Sequence, residues 1–146
     1  MDETSFQDAL FATDTEPTPY VLTVKQPWAW AIIHAGKDVE NRSRPVNYRG
    51  KLLIQAGKSY APEGDKYLRD LGITPPADLP RGCIIGSVEV VGSTSRSTSE
   101  WAMDGYQHWL LADPKPAAQL LPCRGSLSMF RAPEGWEQAF TSPSGA

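Results

Sequence analysis

The chain has 146 residues, a formal net charge of −3, 40% apolar residues and two cysteines. That length suits one domain and is short for two, the apolar share is too high for a disordered chain, and no run approaches the roughly 18 apolar residues of a membrane-crossing helix. Cys83 and Cys123 stand in no CxxC and next to no histidine, so neither a zinc site nor a disulfide framework is expected, and two buried thiols in a reducing, cytoplasmic setting are.

Residues 1–18 are acidic and Thr-rich, end near Pro17 and Pro19, and read as a mobile acidic tail ahead of one domain over 19–140. Residues 1–24 hold five acids and no base, and nothing there resembles a signal peptide. Residues 25–69 hold nine bases against four acids, a local basic field inside an acidic protein. Residues 70–146 return to five bases and eight acids. A solvated face with scattered ion pairs gives the same count, so charge alone does not decide for nucleic acid.

Tyr20–Val24 is β-rich and predicts a first strand. Pro27 opens a short helix over 27–35, closed by Gly36. Helical spacing puts Trp28, Ile32 and Ala35 on one face and pairs Trp30 with His34 on the other. Asp38–Arg42 predicts a short edge strand, 43–48 a loop, and Lys51–Ala56 a strand. Residues 62–71 predict a second helix with Pro62 at its start and Gly72 beyond its end. After a proline-rich loop over 73–82, Cys83–Val91 predicts a long strand with a bend at Gly86. The polar stretch 92–100 predicts a mobile loop beside any cleft, His108–Ala112 a strand, Asp113–Pro116 a turn, and 118–121 more extended chain. Gly125–Arg131 predicts a closing strand, 133–140 a helical turn, and 141–146 a frayed end. Five or six short strands with two or three short helices make a mixed α+β barrel.

At Tyr20–Ala56 the pattern becomes specific. Lys25-Gln26-Pro27-Trp28-Ala29, then Lys37, Glu40 and Arg42, then Tyr48-Arg49-Gly50 stand in the order of the helix start, the central GxKxxExR motif and the YRG turn of the ASCH domains (activating signal cointegrator 1 homology). The segment from Tyr106 to Arg131 is similar to that family's closing strands, so the resemblance covers about 20–132. It departs in having Ala35 at the motif's first glycine, with Gly36 one position later, and Trp30 where a small residue is common. The resemblance implies a PUA-like β-barrel with a cleft beside the first helix.

The chemistry of these residues suits a nucleotide. In extended chain Glu40 and Arg42 point to one side. A carboxylate between Lys37 and Arg42, with Arg49 near, offers cations for a phosphate and an acceptor for a base amino group; an ion-pair network that only pins the loop uses the same residues. Trp28, Trp30, Tyr48 and Trp109 are candidate stacking platforms, with core packing favoured for Trp28 because Ile32 shares its face. His34 and His108 read as surface or capping residues. The expected function is a module binding RNA or a nucleotide, with DNA a possible partner, through Lys25, Trp28, Lys37, Glu40, Arg42, Tyr48, Arg49 and Trp109. No metal, cofactor or membrane is expected, and a monomer is favoured.

Two other classes stay open. One is an RNA-processing hydrolase with Lys37 and Glu40 as its catalytic pair, acting as a ribonuclease. The amidohydrolases of N4-acetylcytidine in this family use a Lys and a Thr within the motif, but here the Thr position is Glu40, which supplies no hydroxyl nucleophile. The other is a protein-interaction domain of a coregulator.

Overall fold

The structure, a computed structural model, describes residues 17–142. Nearly all of the predicted acidic tail and most of the predicted frayed end lie outside the described residues. Six strands form one mixed sheet: β1 (Tyr20–Gln26), β2 (Val39–Arg42), β3 (Gly50–Tyr60), β4 (Cys83–Thr94), β5 (Gln107–Pro122) and β6 (Phe130–Arg131). Helix α1 (Trp28–His34) follows β1, α2 (Pro62–Asp70) follows β3, and a 3-10 turn spans Trp136–Phe140. The order is β2-β5-β4-β3-β1-β6, with β1 and β3 parallel and the other pairs antiparallel.

The ladder does not close on itself, yet the sheet curls. Four strand spacings separate β2 from β1, about 19 Å in a flat sheet. The Arg42 side chain on β2 nevertheless donates from Nη2 to the Thr23 carbonyl on β1 at 2.9 Å. The result is an incomplete barrel, rolled around Leu22, Ile32, Leu52, Ile54, Val88 and Trp109. A second cluster of Val21, Leu53 and Ile84 on the outer face lies under Trp136 and Phe140.

Local chemistry fixes the helix that edges the cleft. Gln26, fully buried, accepts the Trp30 N–H at Oε1 (2.9 Å) and donates from Nε2 to the Pro80 carbonyl (2.9 Å). It caps α1 from the position before Pro27, which itself has no N–H to satisfy. At the other end Gly36 takes φ +78, and the Lys37 N–H returns to the Ala31 carbonyl at 3.1 Å. This turn aims Lys37 back under α1. Gly86 lets α1 and β5 approach β4: a Cβ there would lie 2.6 Å from the Lys115 carbonyl oxygen and 2.7 Å from Ile33 Cδ1. The pairing register slips beside it, between Ile84 and Gly86, as expected of a bend.

Three expectations need correction. The predicted turn at 113–116 is part of β5. Beyond Leu111, whose N–H meets the Asp38 carbonyl at 2.9 Å, that strand has no paired neighbour on the β2 side, so Pro114 and Pro116 remove no ladder bond there, and Asp113 takes φ +54 at the irregularity. The predicted closing strand 125–131 shrinks to Phe130–Arg131, because only these two residues pair, opposite Tyr20 and Val21. His108 is no surface residue: it is 1% exposed, accepts the Ser97 N–H at Nδ1 (3.1 Å), and meets the Met103 carbonyl with Nε2 (2.8 Å). That pattern requires the Nε2–H tautomer.

Candidate nucleic-acid site

A cleft of about 380 Å³ opens between α1, β2, the start of α2 and the 99–106 loop. Lys37 and Glu40 form its floor, 4% and 7% exposed. The Lys37 ammonium donates to the Val39 carbonyl at 2.7 Å and stands 4.0 Å from Glu40 Oε1. It lies 4.9 Å from the Trp28 ring centre and 5.8 Å from that of Trp101, between two indole faces. Burial pushes its pKa below the ordinary lysine range; Glu40 and Asp38 pull it back up, and Arg42 adds to the depression. Glu40 Oε2 accepts from Arg42 Nε at 2.9 Å, so the carboxylate is held between two cations.

The walls are aromatic. Trp28, Tyr67 and Trp101 form a chain of rings with centroids 5.7 and 5.6 Å apart. Gly64 on α2 makes room for the first of them, since a Cβ there would lie 2.9 Å from Trp28 Cε2. Tyr106 and Met103 complete the lining. The far wall is pinned by four devices. Asn41 donates from Nδ2 to the Trp101 carbonyl and accepts the Met103 N–H at Oδ1, each at 2.9 Å. Ser99 donates to Asp38 at 2.5 Å, and Tyr67 Oη donates to the Glu100 carbonyl. His108 holds the same loop from below.

Asn41→Ala is therefore expected to loosen this wall without unfolding the barrel. Two hydrogen bonds of about 1 kcal/mol each disappear. Hydrogen exchange should lose protection at the Met103 amide, while amides of β3 and β4 keep theirs; unchanged Met103 protection would rule out the clamp.

The sequence-predicted residues divide into groups. Trp28, Lys37 and Glu40 meet in the cleft. Lys25 and Arg42 line a second concavity of about 370 Å³, which shares Trp28, Glu40, Asn41, Glu63 and Tyr106 with the first. Trp109 stands behind them, 7% exposed, with Nε1 donating to the Arg44 carbonyl (2.8 Å) and the Arg42 guanidinium 5.9 Å from its ring centre. Tyr48 packs edge-on against Tyr20 at 4.9 Å, and Arg49 donates to the Val46 and Tyr48 carbonyls; neither lines the cleft. Asn41, Tyr67, Trp101 and Tyr106 were not singled out by the sequence reading. Trp101 had a signal, as the one large ring within the polar run 92–105.

Among the described residues no group of three or more His, Cys, Asp or Glu is placed to hold a metal, and no helix is long and apolar enough to cross a membrane.

The fold and cleft define a PUA-like domain: a curled mixed sheet with a helix-edged pocket. The family model for the ASCH domain matches residues 22–121, and the chain belongs to the ASCH domain family. It is 33% identical over 85 residues to activating signal cointegrator 1 of Mus musculus, covering 53% of this chain and 15% of that protein. It is 32% identical over 105 residues to activating signal cointegrator 1 of Homo sapiens, covering 63% and 18%. The chain thus spans less than a fifth of these relatives' length. Among solved structures, the ASCH protein of Zymomonas mobilis superposes with TM-score 0.53 at 15% identity, over 84% of this chain and 92% of that one. A point variant of it gives TM-score 0.52 at 15% identity, over 81% and 92%. At that identity the likeness carries the fold alone.

Proposed function

We propose that this domain is a nucleic-acid binding module that holds one base of a single-stranded RNA, or a modified nucleotide, in the cleft over Lys37 and Glu40. The observation that carries this reading is the buried Lys37–Glu40 pair at the bottom of an aromatic-walled cleft. Lys37 has three N–H donors and spends one on Val39; Glu40 keeps acceptor capacity beyond Arg42. Side by side they present a donor and an acceptor, as a base edge with a keto oxygen and an amino or imino group requires. Trp28, Tyr67 and Trp101 offer ring faces on which stacking supplies about 1–3 kcal/mol per base. Glu40 and Glu63 line both hollows, but only in the adjoining concavity do two cations, Lys25 and Arg42, stand against them, which makes it the better place for a phosphate.

Anisotropy of a labelled single-stranded RNA at several salt concentrations tests this. Binding is expected to weaken with salt at a slope of about −0.7 per phosphate contacted, and to be lost in Lys37→Met. A probe recovered intact on a denaturing gel supports a binding module; a shortened probe that stays intact with Glu40→Gln would move the reading to a ribonuclease. No binding at low salt would remove nucleic acid from consideration and leave the coregulator contact.

A further inference from the structure

A third concavity, of about 460 Å³, continues the same face beyond the Lys25–Arg42 groove, with Thr23 lining both. We infer that this hollow, formed by Thr23, Gln55, Gly57, Lys58, Arg124 and Gly125, is a second subsite that takes the sugar–phosphate of the nucleotide adjoining the one in the cleft. The inference rests on the nucleic-acid reading of the cleft and makes the ligand a strand rather than a free nucleotide.

Charge is the first ground. Lys58 and Arg124 are exposed, and among the described residues neither forms an ion pair with a carboxylate. No acid lines this hollow, in contrast to the cleft with Glu40 and Glu63. An anion is therefore favoured here and disfavoured there.

The second ground is an unpaired acceptor. Gln55 is 1% exposed and donates from Nε2 to the Cys123 carbonyl at 2.6 Å. Its Oε1, also buried, has no hydrogen-bond partner among the described residues. A buried amide oxygen calls for a donor. A phosphate has none to give, but the ribose attached to it carries hydroxyls. Two cations beside one orphan acceptor match a sugar–phosphate better than a bare anion.

The third ground is close approach. A Cβ at Gly125 would lie 2.9 Å from both Gln55 Oε1 and Thr23 Oγ1, and one at Gly57 would lie 3.1 Å from Thr23 Cγ2. Thr23 Oγ1 accepts the Ser126 N–H at 3.0 Å and fixes the 123–126 segment over the end of the groove. The two glycines let the 123–126 segment and β3 pack directly on Thr23 and Gln55, so this side of the hollow is walled by backbone rather than by side chains.

The test compares a 5′-mononucleotide with a short mixed-sequence oligoribonucleotide, on the full chain and on the double variant Lys58→Ala, Arg124→Ala. Both positions are exposed, and a thermal melt verifies the fold. The variant is expected to lose about tenfold in oligonucleotide affinity and about 0.7 from the salt slope, the share of the one phosphate in the subsite, with mononucleotide affinity unchanged. Unchanged oligonucleotide affinity and slope would overturn the subsite. So would an equal loss for both ligands, which would assign the two cations to the cleft itself. If the wild type binds the oligonucleotide no more tightly than the mononucleotide, the subsite falls while the cleft stands. If it binds neither, the nucleic-acid reading falls and the subsite with it.

Discussion

Glu40→Ala is expected to lower stability by about 3 kcal/mol, a large loss for a single polar side chain. The carboxylate is 7% exposed and lies against Lys37, 4% exposed, and Arg42. Removing it leaves one cation buried without a counter-charge. The lower end of the range applies because the Arg42 side chain is 27% exposed and can turn to water, and because the Lys37 contact is long at 4.0 Å. Glu40→Gln keeps shape and an acceptor, and should lose less. Urea denaturation monitored by tryptophan fluorescence gives both numbers. An alanine variant within about 0.5 kcal/mol of wild type would mean that Lys37 needs only the Val39 carbonyl, and that the pair does not hold the cleft together.

Lys37→Met is expected to do the opposite: loss of RNA binding by tenfold or more, on the order of one good hydrogen bond to a charged group, with stability held or raised. Methionine fills similar space between Trp28 and Trp101 and removes a desolvated charge, while Glu40 keeps Arg42 at 2.9 Å. The same substitution carries a pH signature. Burial lowers the Lys37 pKa from 10.5. Between the lowered value and the ordinary one the unfolded chain binds more protons than the folded chain, so stability rises with pH across that window. In the methionine variant this contribution is absent. The comparison is read as wild type minus variant, because burial raises the pKa of Tyr48 and Tyr60, which works in the opposite direction at alkaline pH. A difference curve flat with pH would mean that Lys37 titrates in the fold as it does in the open chain.

Both variants matter because the two residues do different things at one place. Glu40 compensates charge for its neighbours and presents an acceptor; Lys37 spends stability on being buried. Burying an amine at the floor of a cleft, with its nearest paired carboxylate as far as 4.0 Å away, is costly, and such cost is commonly found where a ligand completes the site. Asn41, between Glu40 and Arg42 on β2, lines both hollows and anchors the loop that carries Trp101. One four-residue strand thus supplies the floor, the mouth and the hinge of the far wall.

Most of the element order was legible along the chain. β-branched runs marked β1 and β4, the apolar Leu52-Leu53-Ile54 marked β3, and Pro27, Gly36, Pro62 and Gly72 marked the helix ends. The motif residues that meet in the cleft, Lys37 and Glu40, were legible too, because their placement depends on a short turn after α1 and on two-residue periodicity in β2. What could not be read was anything resting on contacts far apart in sequence. Asp113–Pro116 carries turn chemistry, and only the absence of a neighbour on one side of β5 allows it to stay extended. His108 and Trp109 look alike in the chain; they alternate across β5, and both are buried because that strand lies between a pinned loop and the barrel interior.

The sequence by itself therefore determined the family, the helix that edges the cleft and the charged pair at its floor, since each follows from local spacing and capping. The tertiary structure alone decided which rings form the walls. Trp28 comes from α1, Tyr67 from α2 and Trp101 from the β4–β5 connection, and they meet only because the sheet curls until Arg42 reaches the Thr23 carbonyl. The same curl sets Lys58 and Arg124 beyond Lys25 on one face, a row that no local pattern announces because burial and curvature, rather than periodicity, put it there.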